Sequence, residues 1–213
     1  MTNPDLTHIY FLLDRSGSMA SICDDTIGGF NTFIAEQRKH SSECRVTLAQ
    51  FDDRYELVYA DRAIAEVPAL HLQPRGMTAL LDAIGRLVTD AGSRLARLPE
   101  SERPGTVIVG IMTDGHENAS REWTHSAVKA LIQHQSEVYD WEFLYMGADQ
   151  DAIEVGTGLG VAAARSVTYS RGSTAMAMSS TSAMVDRVRR AKAAGMSAKD
   201  VGYSTEERAA ANR

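Results

Sequence analysis

Two uninterrupted apolar runs, each stopping at an aspartate, constrain this chain more than any other feature. The first, Ile9-Tyr10-Phe11-Leu12-Leu13, ends at Asp14; the second, Val107-Ile108-Val109-Gly110-Ile111-Met112, ends at Thr113-Asp114-Gly115. A strand with one wet face alternates apolar and polar residues. Continuous apolarity instead marks a strand covered on both faces, as in parallel sheets.

The segments between these runs alternate between helix and strand signals. After the turn 14–18, Asp24 or Asp25 is placed to cap a helix reaching about residue 40, with Ile27, Phe30, Phe33 and Ile34 on one face. Strands at 45–51 and 55–60, separated by Asp52-Asp53-Arg54, read as a hairpin, so one strand runs antiparallel to its neighbour. Leu80, Leu81, Ile84, Leu87, Val88, Ala91 and Leu95 recur at helical spacing over 78–98, and Pro99 and Pro104 stop that helix. A helix at 123–135, a strand at 142–146, a short helix capped by Asp149 or Asp151, a strand at 166–169 and a helix at 174–194 follow. On the last helix Arg187, Arg189, Arg190 and Lys192 read as a solvated face, and beyond Gly195 the chain lacks periodicity, as a disordered tail would.

This order predicts an α/β fold: a doubly wound, mostly parallel six-stranded sheet with one antiparallel edge strand and helices on both faces. A hydrophobic share of 44% in 213 residues is enough for one such core, so a single domain is expected over 1–195, with a tail at 196–213. The net charge of −6 argues against nucleic acid as a partner. Cys23 and Cys44 match no zinc spacing or disulfide framework, no run approaches a membrane span, and no signal peptide is evident, so a cytoplasmic location is the expectation.

In open parallel sheets ligands bind beyond the carboxyl ends of the strands, where strand order reverses. Asp14-Arg15-Ser16-Gly17-Ser18 and Thr113-Asp114-Gly115 both follow buried strands, and Thr78 lies beside Gly76 in the loop entering a helix. If the two strands are neighbours, Asp14 and Asp114 emerge side by side and repel each other unless a cation lies between them. The other candidates, Ser16, Ser18 and Thr78, offer hydroxyl oxygens. Hard oxygens with few charges suit Mg²⁺ or Mn²⁺ and disfavour zinc. Thr78 read alone is a helix N-cap, and Asp14 and Asp114 read alone are turn residues. Asp52 and Asp53 read first as turn residues, and Arg15 either lines the site's rim or faces solvent.

Phe11-Leu12-Leu13-Asp14-Arg15-Ser16-Gly17-Ser18-Met19 resembles the Asp-x-Ser-x-Ser signature of von Willebrand factor A (VWA) domains. Gly76-Met77-Thr78-Ala79-Leu80 and Met112-Thr113-Asp114-Gly115 resemble that family's threonine and second aspartate loops. The resemblance covers roughly residues 7–169. It implies a stand-alone bacterial cytoplasmic VWA protein with a metal-ion-dependent adhesion site (MIDAS), in which Ser16 and Ser18 ligate directly and Asp14, Thr78 and Asp114 directly or through water. It further implies Mg²⁺, with Mn²⁺ or Ca²⁺ as alternatives, and capture of an acidic residue from a protein partner, such as an AAA+ ATPase or a kinase or phosphatase system. The alternatives are a scaffold with a purely structural metal site and a Mg²⁺-dependent phosphatase. The phosphatase motif needs a second aspartate two residues after Asp14, where Ser16 stands, so no enzyme is expected. Gly156-Thr157-Gly158-Leu159-Gly160 follows a helix-like stretch and does not open a helix after a strand, which sets aside a dinucleotide reading.

Overall fold

The computed structural model describes residues 2–212. Six strands form one sheet: β1 (Asn3–Asp14), β2 (Glu43–Phe51), β3 (Tyr55–Ala63), β4 (Pro104–Thr113), β5 (Glu142–Ala148) and β6 (Ser166–Tyr169). Their spatial order is β3-β2-β1-β4-β5-β6, and every neighbouring pair is parallel except β2 and β3. The mostly parallel α/β sheet with one antiparallel edge strand is therefore present as expected. Its order reverses at β1, which pairs with β2 on one side and β4 on the other.

The helices are α1 (Cys23–Gln37), α2 (Leu80–Arg97), α3 (His125–Val138), α4 (Ala152–Gly158), α5 (Thr174–Ala193) and α6 (Thr205–Ala211). Successive side chains of a strand point to opposite faces, and β1 divides the core accordingly. Ile9, Phe11 and Leu13 join Phe30, Phe33 and Ile34 of α1 and Met178, Met184, Val185 and Val188 of α5. The Phe11 ring meets Phe30 edge-on at 5.2 Å. Tyr10 and Leu12 join the apolar stripe of α2 with Val128 and Ile132 of α3 and Ala152 of α4. Covered on both sides, β1 and β4 need the unbroken apolarity that their sequences carry. Among the described residues no helix is long and apolar enough to cross a membrane.

Several local expectations are corrected. Helix α1 is entered from a 3-10 turn over Gly17–Ile22, and its N-cap is Ile22 with no side-chain cap; Asp24 and Asp25 fall in its first turn. There their carboxylates still favour the positive end of the helix dipole. Asp151 caps α4, accepting from the Ile153 and Glu154 N–H groups, and Asp149 does not. The segment expected as a disordered tail contains α6, opened by a capping box between Ser204 and Glu207, with Ala198, Tyr203 and Ala211 buried.

Of the basic residues of α5, Arg190 is exposed as expected, but Arg187, Arg189 and Lys192 are engaged in the fold. Arg189 is buried and donates to Gln37 Oε1 at 2.9 Å and Ser42 Oγ at 2.8 Å. Arg187 pairs with Glu207 of α6 at 2.7 Å, and Lys192 with the buried Glu142 at 3.0 Å. Arg165, also buried, pairs with Glu142 and donates to the carbonyls of Ala198 and Val201, holding the segment after α5 against the sheet.

Candidate metal centre

The β1–β4 pairing brings the two aspartates together. Leu13 stands opposite Met112, so Asp14 comes beside Thr113, with Asp114 one residue further. Asp14 is fully buried. Its Oδ1 accepts the Ser16 N–H at 2.6 Å, and its Oδ2 accepts the Thr113 hydroxyl at 2.6 Å. The Ser16 and Ser18 hydroxyls lie 3.1 Å apart, and Ser18 donates to Asp114 Oδ1 at 2.6 Å. A continuous polar line thus runs from Asp14 through the serines to Asp114, buried at Asp14 and exposed at Ser18.

Thr78 reaches the same place from the third segment. A β-carbon placed on Gly115 would lie 3.1 Å from Thr78 Oγ1 and 3.4 Å from Ser18 Oγ, so glycine there lets the aspartate loop close onto both hydroxyls. Thr78 is not the cap of α2. That N-cap is Ala79, without a side-chain cap, and the first helical N–H groups are met from another loop. Leu81 N–H donates to Glu117 Oε2 at 2.9 Å and Asp82 N–H to Ser120 Oγ at 3.0 Å. Asn118 fastens Thr78 itself: its Oδ1 accepts the Thr78 N–H at 2.9 Å, and its own N–H donates to the Thr78 carbonyl at 3.0 Å. The five expected residues are therefore brought together, and Thr113, Glu117 and Asn118 act beside them in roles that the sequence reading missed.

Asp52, Asp53 and Arg15 have other duties. Arg15 is buried and turned inward, with Nε donating to Asp52 Oδ2 at 3.0 Å and Nη1 to Glu56 Oε2 at 2.5 Å. Asp52, fully buried, also accepts from Arg75 Nε at 2.8 Å and from the Arg54 N–H at 2.7 Å. Burial works against its charge, but Arg75, the Arg54 N–H and Arg15 together hold its carboxyl below the usual range. Asp52 is thus neither an exposed turn residue nor a ligand candidate; it joins the three loops. Asp53 is exposed. Gly76 closes this arrangement at φ +70°, a left-handed conformation in which a β-carbon would also sit 2.6 Å from Asp53 Oδ1.

Burial pushes the Asp14 carboxyl up to about 6; hydrogen bonds from Thr113 and Ser16 oppose the rise, and the Asp114 charge adds to it. Burial also raises Asp114, against the Ser18 hydrogen bond and Arg171. Asp114 Oδ2 is buried without a hydrogen-bond partner, which leaves an acceptor unused beside the serine hydroxyls. Buried polar atoms are normally satisfied. An orphaned carboxylate oxygen among hard oxygen donors fits a divalent cation. Among the described residues no three His, Cys, Asp or Glu side chains group as a metal site, so a cation here would rely on hydroxyl oxygens beyond its two carboxylates.

No protein-family model matches the chain, and no curated protein sequence does. Solved structures match its fold. Proximal thread matrix protein 1 from the mussel byssus superposes with a TM-score of 0.60 at 15% identity, over 88% of this chain and 46% of that one. The vWF domain of the type V pili tip protein Mfa5 from Porphyromonas gingivalis gives 0.59 at 10% identity, over 85% of this chain and 95% of that one. The mussel protein with a zinc-occupied MIDAS motif gives 0.54 at 16% identity, over 87% of this chain and 46% of that one. The chain thus spans less than half the length of the mussel protein. The sheet and these likenesses define a von Willebrand factor A-type, Rossmann-like fold.

Proposed function

We propose that this chain is a divalent-metal-dependent protein-binding module whose site is made by Asp14, Ser16, Ser18, Thr78 and Asp114. The observation that carries the reading is the meeting of two buried carboxylates from β1 and β4 with three hydroxyl-bearing residues, one carboxylate oxygen being left unsatisfied. The mussel protein's zinc-occupied MIDAS motif supports a metal on this fold. Mg²⁺, or Mn²⁺ or Ca²⁺, suits the all-oxygen donor set here better than zinc. When bound, such a cation supplies an electrophilic contact for an aspartate or glutamate of a partner protein. The chain's own residues do the positioning: Thr113 orients Asp14, Asn118 fixes Thr78, and Ser18 stands on the open side. An AAA+ ATPase or a kinase or phosphatase system is the first partner class to try, and a cytoplasmic setting is part of the proposal.

Calorimetric titration with Mg²⁺ or Mn²⁺ and capture of partners in Mg²⁺ or in chelator test this reading. Ser16→Ala should weaken metal binding at least tenfold and release the captured partner while the circular dichroism spectrum stays unchanged. Equal capture in chelator would overturn partner binding through the metal. Turnover of a phosphate ester that depends on Asp14 would replace the binding reading with a hydrolytic one.

A further inference from the structure

Arg171 stands in the turn Arg171–Ser173, between β6 and α5, and reaches the edge of the sheet where Asp114 emerges. Its Nη2 lies 3.8 Å from Asp114 Oδ2, the oxygen that has no hydrogen-bond partner. Among the described residues it is the one cationic side chain within 4 Å of either Asp14 or Asp114. At 3.8 Å the contact is an ion pair without a hydrogen bond. The other end of the guanidinium is held firmly, since Nε pairs with Asp149 Oδ2 at 2.8 Å. Asp149 follows β5 directly, at φ +48°, and its N–H donates to the Tyr169 carbonyl at 3.0 Å. The next strand end in the sheet therefore supplies a tether that keeps Arg171 beside Asp114 without letting it close the remaining distance.

We propose that Arg171 is a resident counter-cation of the metal centre: tethered by Asp149, it offsets the charge of Asp114 and lowers the affinity of the site for divalent metal. The inference rests on the metal reading given above. A divalent ion near Asp114 would face the guanidinium at short range. Two positive charges against one at about 6 Å, with the guanidinium itself half-exposed and water-screened, amount to an effect on affinity of about tenfold. The side chain is 46% exposed, so salt should reduce that effect.

The test is the Mn²⁺ dissociation constant of the whole chain, measured by calorimetry and by the Mn²⁺ paramagnetic resonance signal at low and at high salt. Arg171→Gln should bind Mn²⁺ about tenfold more tightly than the parent at low salt, with a smaller gain at high salt. Arg171→Lys keeps the charge and should stay nearer the parent. Asp149→Asn leaves Asp114 as the one carboxylate partner of Arg171 among the described residues, with the guanidinium free to close on it. It should therefore weaken Mn²⁺ binding more in the parent than in the Arg171→Gln background, where only the loss of a distant negative charge remains. Mn²⁺ affinity unchanged or lowered in Arg171→Gln, with binding by the parent intact, overturns the inference and leaves the metal reading standing. Absence of Mn²⁺ binding in both, in chains whose circular dichroism shows them folded, overturns the two together.

Discussion

Without a bound cation, Asp14 and Asp114 must share a place where burial disfavours the charge on each. The folded value for Asp14, about 6, lies above its ordinary 3.8, so the fold favours its protonated form. The consequence has a definite sign. Relative to acid pH, the metal-free fold loses stability as pH rises past 3.8 and through about 6, by roughly 3 kcal/mol when the carboxyl is fully ionised. In chelator at pH 7.5, Asp14→Asn should therefore stabilise the fold by about 1–2 kcal/mol once the imperfect replacement of its hydrogen bonds is counted, read as a higher thermal midpoint. At pH 4 the gain should nearly vanish, and a variant no more stable than the parent at pH 7.5 would refute the account. Residues of this kind were legible in the sequence because each ends a recognisable strand. Asn118 and Arg171 were not, because their partners lie 40 and 57 positions away and no spacing rule links them.

Among the elements, α2 and α6 mark the two extremes of legibility. The apolar residues of α2 repeat at helical spacing, and the same residues are buried against β1. Helix α6, Thr-Glu-Glu-Arg-Ala-Ala-Ala, has no apolar side chain larger than alanine, so it gives no periodic signal. Its one local sign was Ser204 followed three residues later by Glu207, a capping box. The rest of its anchoring is tertiary: the Arg187–Glu207 pair, and Tyr203, buried with its hydroxyl 2.8 Å from Thr181 Oγ1. Arg187 and Arg189 of α5 were misread for the same reason, since their partners on α1, α6 and the following segment belong to the assembled fold. Tyr203→Ala should destabilise the chain by about 3 kcal/mol in urea unfolding. A loss under 1 kcal/mol would mean that the segment after α5 lies loosely on the core.

At the scale of the molecule, the proposed metal, held by β1, β4 and the loop before α2, would tie three distant parts of the chain together. Ligand binding to the folded state alone stabilises it by RT ln(1 + [L]/Kd), about 2.7 kcal/mol at a hundredfold excess over Kd. For a domain of this size that should raise the thermal midpoint by about 5–10 °C. Scanning calorimetry in Mg²⁺ and in chelator should show the rise for the parent chain and none for Asp14→Asn. A midpoint indifferent to Mg²⁺ and Mn²⁺ would count against any metal at this edge. The central place of β1, between β2 and β4, has a further consequence for how the protein is made. As the chain leaves the ribosome, β1 can pair with β2 early, but its other edge has no partner until residue 113 has emerged. While residues 15–113 are being made, then, this central strand offers an open row of backbone donors and acceptors. That interval is when a nascent chain of this design is most exposed to mispairing and most in need of a chaperone.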